Sequence, residues 1–164
     1  MKGGMAGAIE LIVLSLWLGA ALIVAASVAP SAFAVLPSRT LAGALVGRVL
    51  PAVFISGILA ALVAVICEVL TARGSWALRS GIPLLVLAAG CASAQFVVTP
   101  KIDRVRSSID GPVENLGAAD PRRVAFGKLH ALSVAFLGLA MIGAAVNIGT
   151  RLYTIHTYER LDSH

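Results

Sequence analysis

Four apolar stretches, at about 9–29, 49–70, 78–99 and 125–148, take up more than half of this 164-residue chain. Each reaches the ~20 residues with which an α-helix crosses ~30 Å of hydrocarbon. In lipid an unpaired backbone amide costs several kcal/mol, so such segments must be helices that satisfy their own hydrogen bonds. The expected fold class is all-α, an integral membrane four-helix bundle. Residues 1–164 are read as one four-span membrane domain with a long polar loop at 100–124. Only 13% of residues are charged, about half of what a water-soluble surface usually carries.

The formal net charge is +5, but the basic residues are scattered through loops without interleaved aromatics. That pattern speaks against nucleic acid and for the anionic headgroups of a lipid bilayer, worth roughly 1 kcal/mol per juxtamembrane cation. With four spans, Lys2, Arg73, Arg79, Arg151 and Arg160 share one side. Arg39, Arg48, Lys101, Arg104, Arg106, Arg122, Arg123 and Lys128 share the other. Retention of positive charge in the cytoplasm then predicts outside termini and cytoplasmic loops one and three, in a bacterial inner membrane. A cleaved secretory signal within residues 1–34 is the rival reading of the first segment, because Ala32-Phe33-Ala34 imitates a cleavage site. The run from Ile9 to Ala29 exceeds the 7–15 residues of a signal core, and Glu10 stands where a cation belongs. A retained first helix is expected.

Pro30 is expected to end the first span near Ala29, with residues 31–37 forming an apolar interfacial turn. Pro51 and Pro83 fall near the starts of spans two and three, where a missing N–H matters least. Lys101 to Arg106 is expected to continue span three as a basic helical end. Small residues recur every four positions: Ala21, Ala25 and Ala29; Gly57 and Ala61; Ala88 and Ala92; Gly127, Ala131 and Ala135. Such stripes let helices approach closely in lipid, and would serve a homo-oligomer or a larger membrane complex equally well. Cys67 and Cys91 are expected at depths too different for a disulfide.

Polar groups inside a span are costly and so mark candidate sites. Near the side of loops one and three lie Gln95, Thr99 and His130, with Cys91, Ser133 and Ser56 deeper. Cys91, Gln95 and Thr99 repeat at i, i+4 and i+8, which on an α-helix puts them on one face. If that face meets span four, Gln95 and His130 would hydrogen-bond across two helices. Interhelical packing is the favoured role for both; the alternative is a ligand, proton or metal role for His130. At the opposite side Glu10, Glu68 and Asn147 form a second layer. Glu68 is expected near Arg73 or Arg79 and Glu10 near Arg151, as paired, snorkelling end charges. Trp17, at mid-span, is expected to pack into the bundle. No phosphate loop, nucleophile elbow or paired catalytic carboxylate occurs, so no catalytic residue is assigned.

The elements Trp17-x-Gly19, Ala29-Pro30-x-x-Phe33, Ala42-Gly43 with Gly47-Arg48, Gln95 ahead of Pro100, and Phe126-x-x-x-His130-x-x-Ser133 resemble the domain-of-unknown-function 4149 family, also called transmembrane-protein-205-like. Gln95 replaces the family's usual Asn, and Leu50 stands where Phe often follows the Gly-Arg pair. The resemblance implies a four-span membrane protein of no established activity, with Trp17, Gly19, Pro30, Gln95, Pro100, Phe126 and His130 as signature positions. The expected function is non-enzymatic, through association or small-solute handling, with no cofactor. The alternatives are a haem- or metal-binding redox or resistance protein using His130, and an accessory subunit of a larger complex.

Overall fold

The computed structural model describes the backbone of residues 2–71 and 76–162 and the side chains of residues 5–70 and 81–156. Its helices are α1 (Lys2–Ile23), α2 (Ala29–Val35), α3 (Arg39–Thr71), α4 (Trp76–Ala92), α5 (Thr99–Ser107) and α6 (Pro121–Asp162). A π-helical segment at Val24–Val28 joins α1 to α2 without a break, and another at Ser93–Val98 joins α4 to α5. Four continuous rods result, over Met5–Val35, Arg39–Leu70, Gly81–Ser107 and Pro121–His156, each long and apolar enough to cross a membrane. No strand occurs among the described residues. The chain is an all-α, multi-pass membrane four-helix bundle.

Both π segments lie just ahead of a proline, Pro30 in α2 and Pro100 in α5. A proline within a helix lacks the N–H, and its ring collides with the carbonyl four residues back. Widening one turn relieves the collision without ending the helix. The amide of Ala29 reaches the carbonyl of Val24, and that of Thr99 reaches Ala94, each five residues back. The first span therefore does not stop near Ala29. It runs to Val35, and the expected interfacial turn at 31–37 is helical up to that residue, with Leu36 turning extended. The basic extension of span three is present, with Arg104 and Arg106 in the last turn of α5, where cations meet the negative end of the helix dipole.

α1 packs against α3 and α6, and α4 completes the ring between α3 and α6. Large apolar side chains point outward: Leu16, Leu85 and Ile142 are among many that are more than half exposed. The interior is built from small residues, including Ala21, Ala61, Ala64, Ala94, Ala140 and Ala144, around Leu14, Trp17, Phe54, Leu84 and Leu87. This is the pattern of helices whose association depends on close packing. Three of the expected seams fall in contacts, at Ala21, at Gly57 with Ala61, and at Ala88. The span-four stripe does not: Gly127, Ala131 and Ala135 are exposed. The contact residues of α6 lie further along, at Ala140, Gly143 and Ala144, against Pro83, Leu87 and Gly90 of α4. The Trp17 indole N–H donates to the Val53 carbonyl at 2.9 Å inside the core. Cys67 and Cys91 are both buried, and neither is in a disulfide.

The third loop folds back on the bundle. The Thr40 hydroxyl donates to Glu114 Oε2 at 2.8 Å and accepts from the Val113 amide at 3.2 Å. Asp120 caps α6: its Oδ1 accepts the Arg122 amide at 2.8 Å, ahead of Pro121 at the first helical position, which suits a residue without an N–H. Hydrogen bonds from the Arg122 side chain hold the Asp120 carboxyl below the usual carboxylate range. A lowered folded value means that capping is complete above the unfolded value of ~3.9 and is lost as pH falls through the folded one. We expect amide exchange at Arg122 to Val124, corrected for intrinsic rates, to accelerate as pH drops below 4. Asp120→Ala should give a similar acceleration, about fivefold, at neutral pH. Identical protection in the variant would show that the cap does not hold this helix end.

Candidate functional site

A cavity of about 290 Å³ opens where α2, the start of α3, α5 and the start of α6 converge under the third loop. The two prolines place two of these elements, because each widened turn lets a helix continue as α2 or α5 rather than end. α2 is seated by a small cluster of Ala32, Ala42 and Val46, with Leu36 and Leu50 against it. Phe33, Val46, Leu50 and Pro51 give the cavity an apolar wall; Thr99 and Ser133 lie along it, and His130 projects from α6. Its charged lining is Arg39, Asp103, Arg106, Glu114 and Arg123. The Arg106 guanidinium stands 5.9 Å from the centroid of the Phe126 ring, within cation–π range. It also lies over Gly43 and Gly47, where an added Cβ would stand 3.5 and 3.7 Å from it. Two glycines one turn apart thus leave a bare strip of α3 beneath a planar cation.

The candidate residues are divided by this geometry. His130, Ser133 and Phe126 line the cavity, as does Thr99, whose hydroxyl donates to the Ala94 carbonyl. Cys91 does not: it is fully buried in the core against Gly57 and Trp17. Gln95 is absent from the lining, and its enclosed Oε1 has no hydrogen-bond partner among the described residues. The expected Gln95–His130 bond is therefore not formed. The cause is the π segment at Ser93–Val98, whose extra residue per turn breaks the i, i+4, i+8 alignment. Among the described residues no three of His, Cys, Asp and Glu gather as metal ligands. His130 would be an isolated donor, whereas a structural or catalytic zinc takes three or four. Trp17 and Gly19 lie away from the cavity, in or beside the bundle core.

A second polar group occupies the opposite end of the bundle. Arg151 Nη2 lies 2.9 Å from Glu10 Oε2, and Nη1 lies 4.0 Å from Glu68 Oε1. The approach of Glu10 to Arg151 is as expected, but Glu10 is fully buried rather than snorkelling, and Asn147 is buried beside this layer. Glu68 faces Arg151; its expected partner Arg73 lies outside the described residues, as does the side chain of Arg79. This cluster ties α1, α3 and α6 together at the end of the bundle away from the cavity.

The comparison with known families is decided by the first five helices. The family model described as Domain of unknown function (DUF4149) matches residues 12–109, more than half of the chain. The chain belongs to that family. The matched region holds Trp17, Pro30, Gly43, Gly47, Pro100 and Arg106, and ends before α6, so Phe126, His130 and Ser133 lie beyond it. No curated protein and no solved structure showed a significant match. The matched stretch includes both proline-linked π segments of this chain, and the family's description names no activity. Arg106, Thr40 and Glu114 were not among the sequence candidates, because their meeting depends on how the third loop folds.

Proposed function

We propose that this DUF4149 protein is a non-enzymatic membrane protein that handles a small solute in the cavity beneath its third loop. The observation supporting this is the cavity itself: an apolar wall inside the bundle combined with a charged mouth among the helix ends. Ligand sites are concave and largely apolar, with a few placed polar groups, and this one sits where water meets hydrocarbon. The eight basic residues on that side, against five on the other, support a cytoplasmic mouth in a bacterial inner membrane. Anionic headgroups are the natural lipid neighbours of Arg39, Arg48 and Lys101.

The test uses the full chain in phosphatidylcholine nanodiscs and the neutral apolar fluorophore N-phenyl-1-naphthylamine. Saturable binding above that of empty nanodiscs is expected. Gly47→Leu, whose Cβ stands at ordinary contact distance from Arg106, should fill the cavity and weaken binding about fivefold or more, roughly 1 kcal/mol. Binding no greater than that of empty nanodiscs would overturn the reading.

A further inference from the structure

We infer that the solute is a single-chain amphiphile with an anionic headgroup, with its head on Arg106 and its chain along the apolar wall. This rests on the cavity being a solute site, and adds the sign and shape of what enters it. The charged lining holds three guanidinium groups, Arg39, Arg106 and Arg123, against two carboxylates, Asp103 and Glu114, which leaves one positive charge in excess. The groups are not equally engaged. Glu114 accepts the Thr40 hydroxyl, and Arg123 donates to the Leu116 carbonyl at 2.7 Å. Arg39 is exposed at the first residue of α3. Arg106 is half-buried and, among the described residues, has the face of Phe126 and no carboxylate partner.

A guanidinium presents a rigid fork that matches carboxylate and phosphate oxygens in pairs. A ring face satisfies its plane but not its N–H donors, and Gly43 and Gly47, whose added Cβ atoms would stand 3.5 and 3.7 Å from its nitrogens, let the guanidinium lie close against α3 inside the cavity. Partial burial beside apolar walls makes an unpaired cation costly, so an anion of matching geometry is favoured there. The chain length follows from space. About 290 Å³ lies at the lower edge of the ~300–1,000 Å³ of ordinary ligand pockets, which suits one short chain and not the two of a bilayer phospholipid.

The experiment measures displacement of N-phenyl-1-naphthylamine from the same nanodiscs by decyl phosphate, decanoate, decanol, decyltrimethylammonium and inorganic phosphate. Decyl phosphate and decanoate are expected to displace it about tenfold or more better than decanol or the cation, and inorganic phosphate not at all. Arg106→Gln should weaken the two anions about ten- to hundredfold and change decanol by less than about twofold. Arg106→Lys, which keeps the charge and loses the fork, should fall between; it also serves as the test if the glutamine variant does not fold. Equal displacement by the neutral, anionic and cationic chains overturns the assignment of charge. Displacement by inorganic phosphate overturns the need for a chain. Nanodiscs containing phosphatidylglycerol that no longer bind decyl phosphate would give the site to a bilayer lipid and overturn the single-chain assignment. Failure of the fluorophore to bind at all would instead remove the solute site itself.

Discussion

Arg151→Leu is expected to lower the unfolding free energy by about 3–5 kcal/mol, measured by steric trapping or denaturant titration in mild detergent. The reason is what the substitution leaves behind. Glu10 is fully buried with its carboxylate 2.9 Å from the Arg151 guanidinium, and Glu68 stands 4.0 Å away on the other side. The intact group need not add much net stability, because three charges have been drawn out of water and their attraction mainly offsets that desolvation. Remove the cation, however, and the fully buried Glu10 carboxylate, with Glu68 beside it, is left in an apolar bundle without the counter-charge that stood 2.9 Å away. Leucine has similar bulk, so packing loss contributes little. Glu10→Gln combined with Arg151→Leu should recover part of the loss, because one of the stranded charges is gone. Breaking the exposed Arg122–Asp120 pair, at 2.9 Å, should cost far less, as surface pairs do. An Arg151→Leu protein as stable as the parent would mean that the three charges reach water at that end of the bundle.

How much of this was readable in the chain depends on the range of the interaction. The four spans follow from length and apolarity, which act locally through the cost of exposed amides. Arg104 and Arg106 read as a helical end because charge near a helix terminus is also a local matter. The approach of Glu10 to Arg151 needed only the antiparallel order of spans. Pro30 misled because its local rule forbids an ordinary α-turn but not a π-turn, and the first span accordingly continues to Val35. The same widening ahead of Pro100 spoiled the Cys91, Gln95 and Thr99 face, sending Cys91 to the core and Thr99 to the cavity. The span-four stripe at Gly127, Ala131 and Ala135 satisfied the spacing for close packing and yet stays exposed, with Gly127 on the cavity and the alanines outside the buried helix contacts. Spacing says that a face can be approached, while the helix rotation set by Gly143 says which face is. The cavity was least legible. It joins Thr40 to Glu114 and Gly43 to Arg106 across more than sixty residues, through a loop whose path no periodicity records.

Gly143→Val should be nearly as damaging as loss of Arg151, at about 3 kcal/mol, and for a purely steric reason. A Cβ at Gly143 would stand 2.6 Å from the Pro83 carbonyl oxygen and 2.9 Å from the Leu87 amide nitrogen. Both are backbone atoms of α4, so no side-chain rotation makes room, and the two helices must separate. Separation is costly here because the neighbouring contact is equally close: a Cβ at Gly90 would lie 2.9 Å from the Phe136 carbonyl. Opposing this, a helical glycine replaced by a better helix former gains up to ~1 kcal/mol. That gain can be measured alone at Gly138 and Gly149, which have nothing within 4 Å of an added Cβ. Alanine at either should leave thermal stability in detergent unchanged or raised, while Gly143→Val lowers it and Gly143→Ala lowers it by less. If valine at 143 proves as harmless as alanine at 138, α4 and α6 do not meet at van der Waals distance. The small-residue contact would then not be what draws the two helices together in lipid.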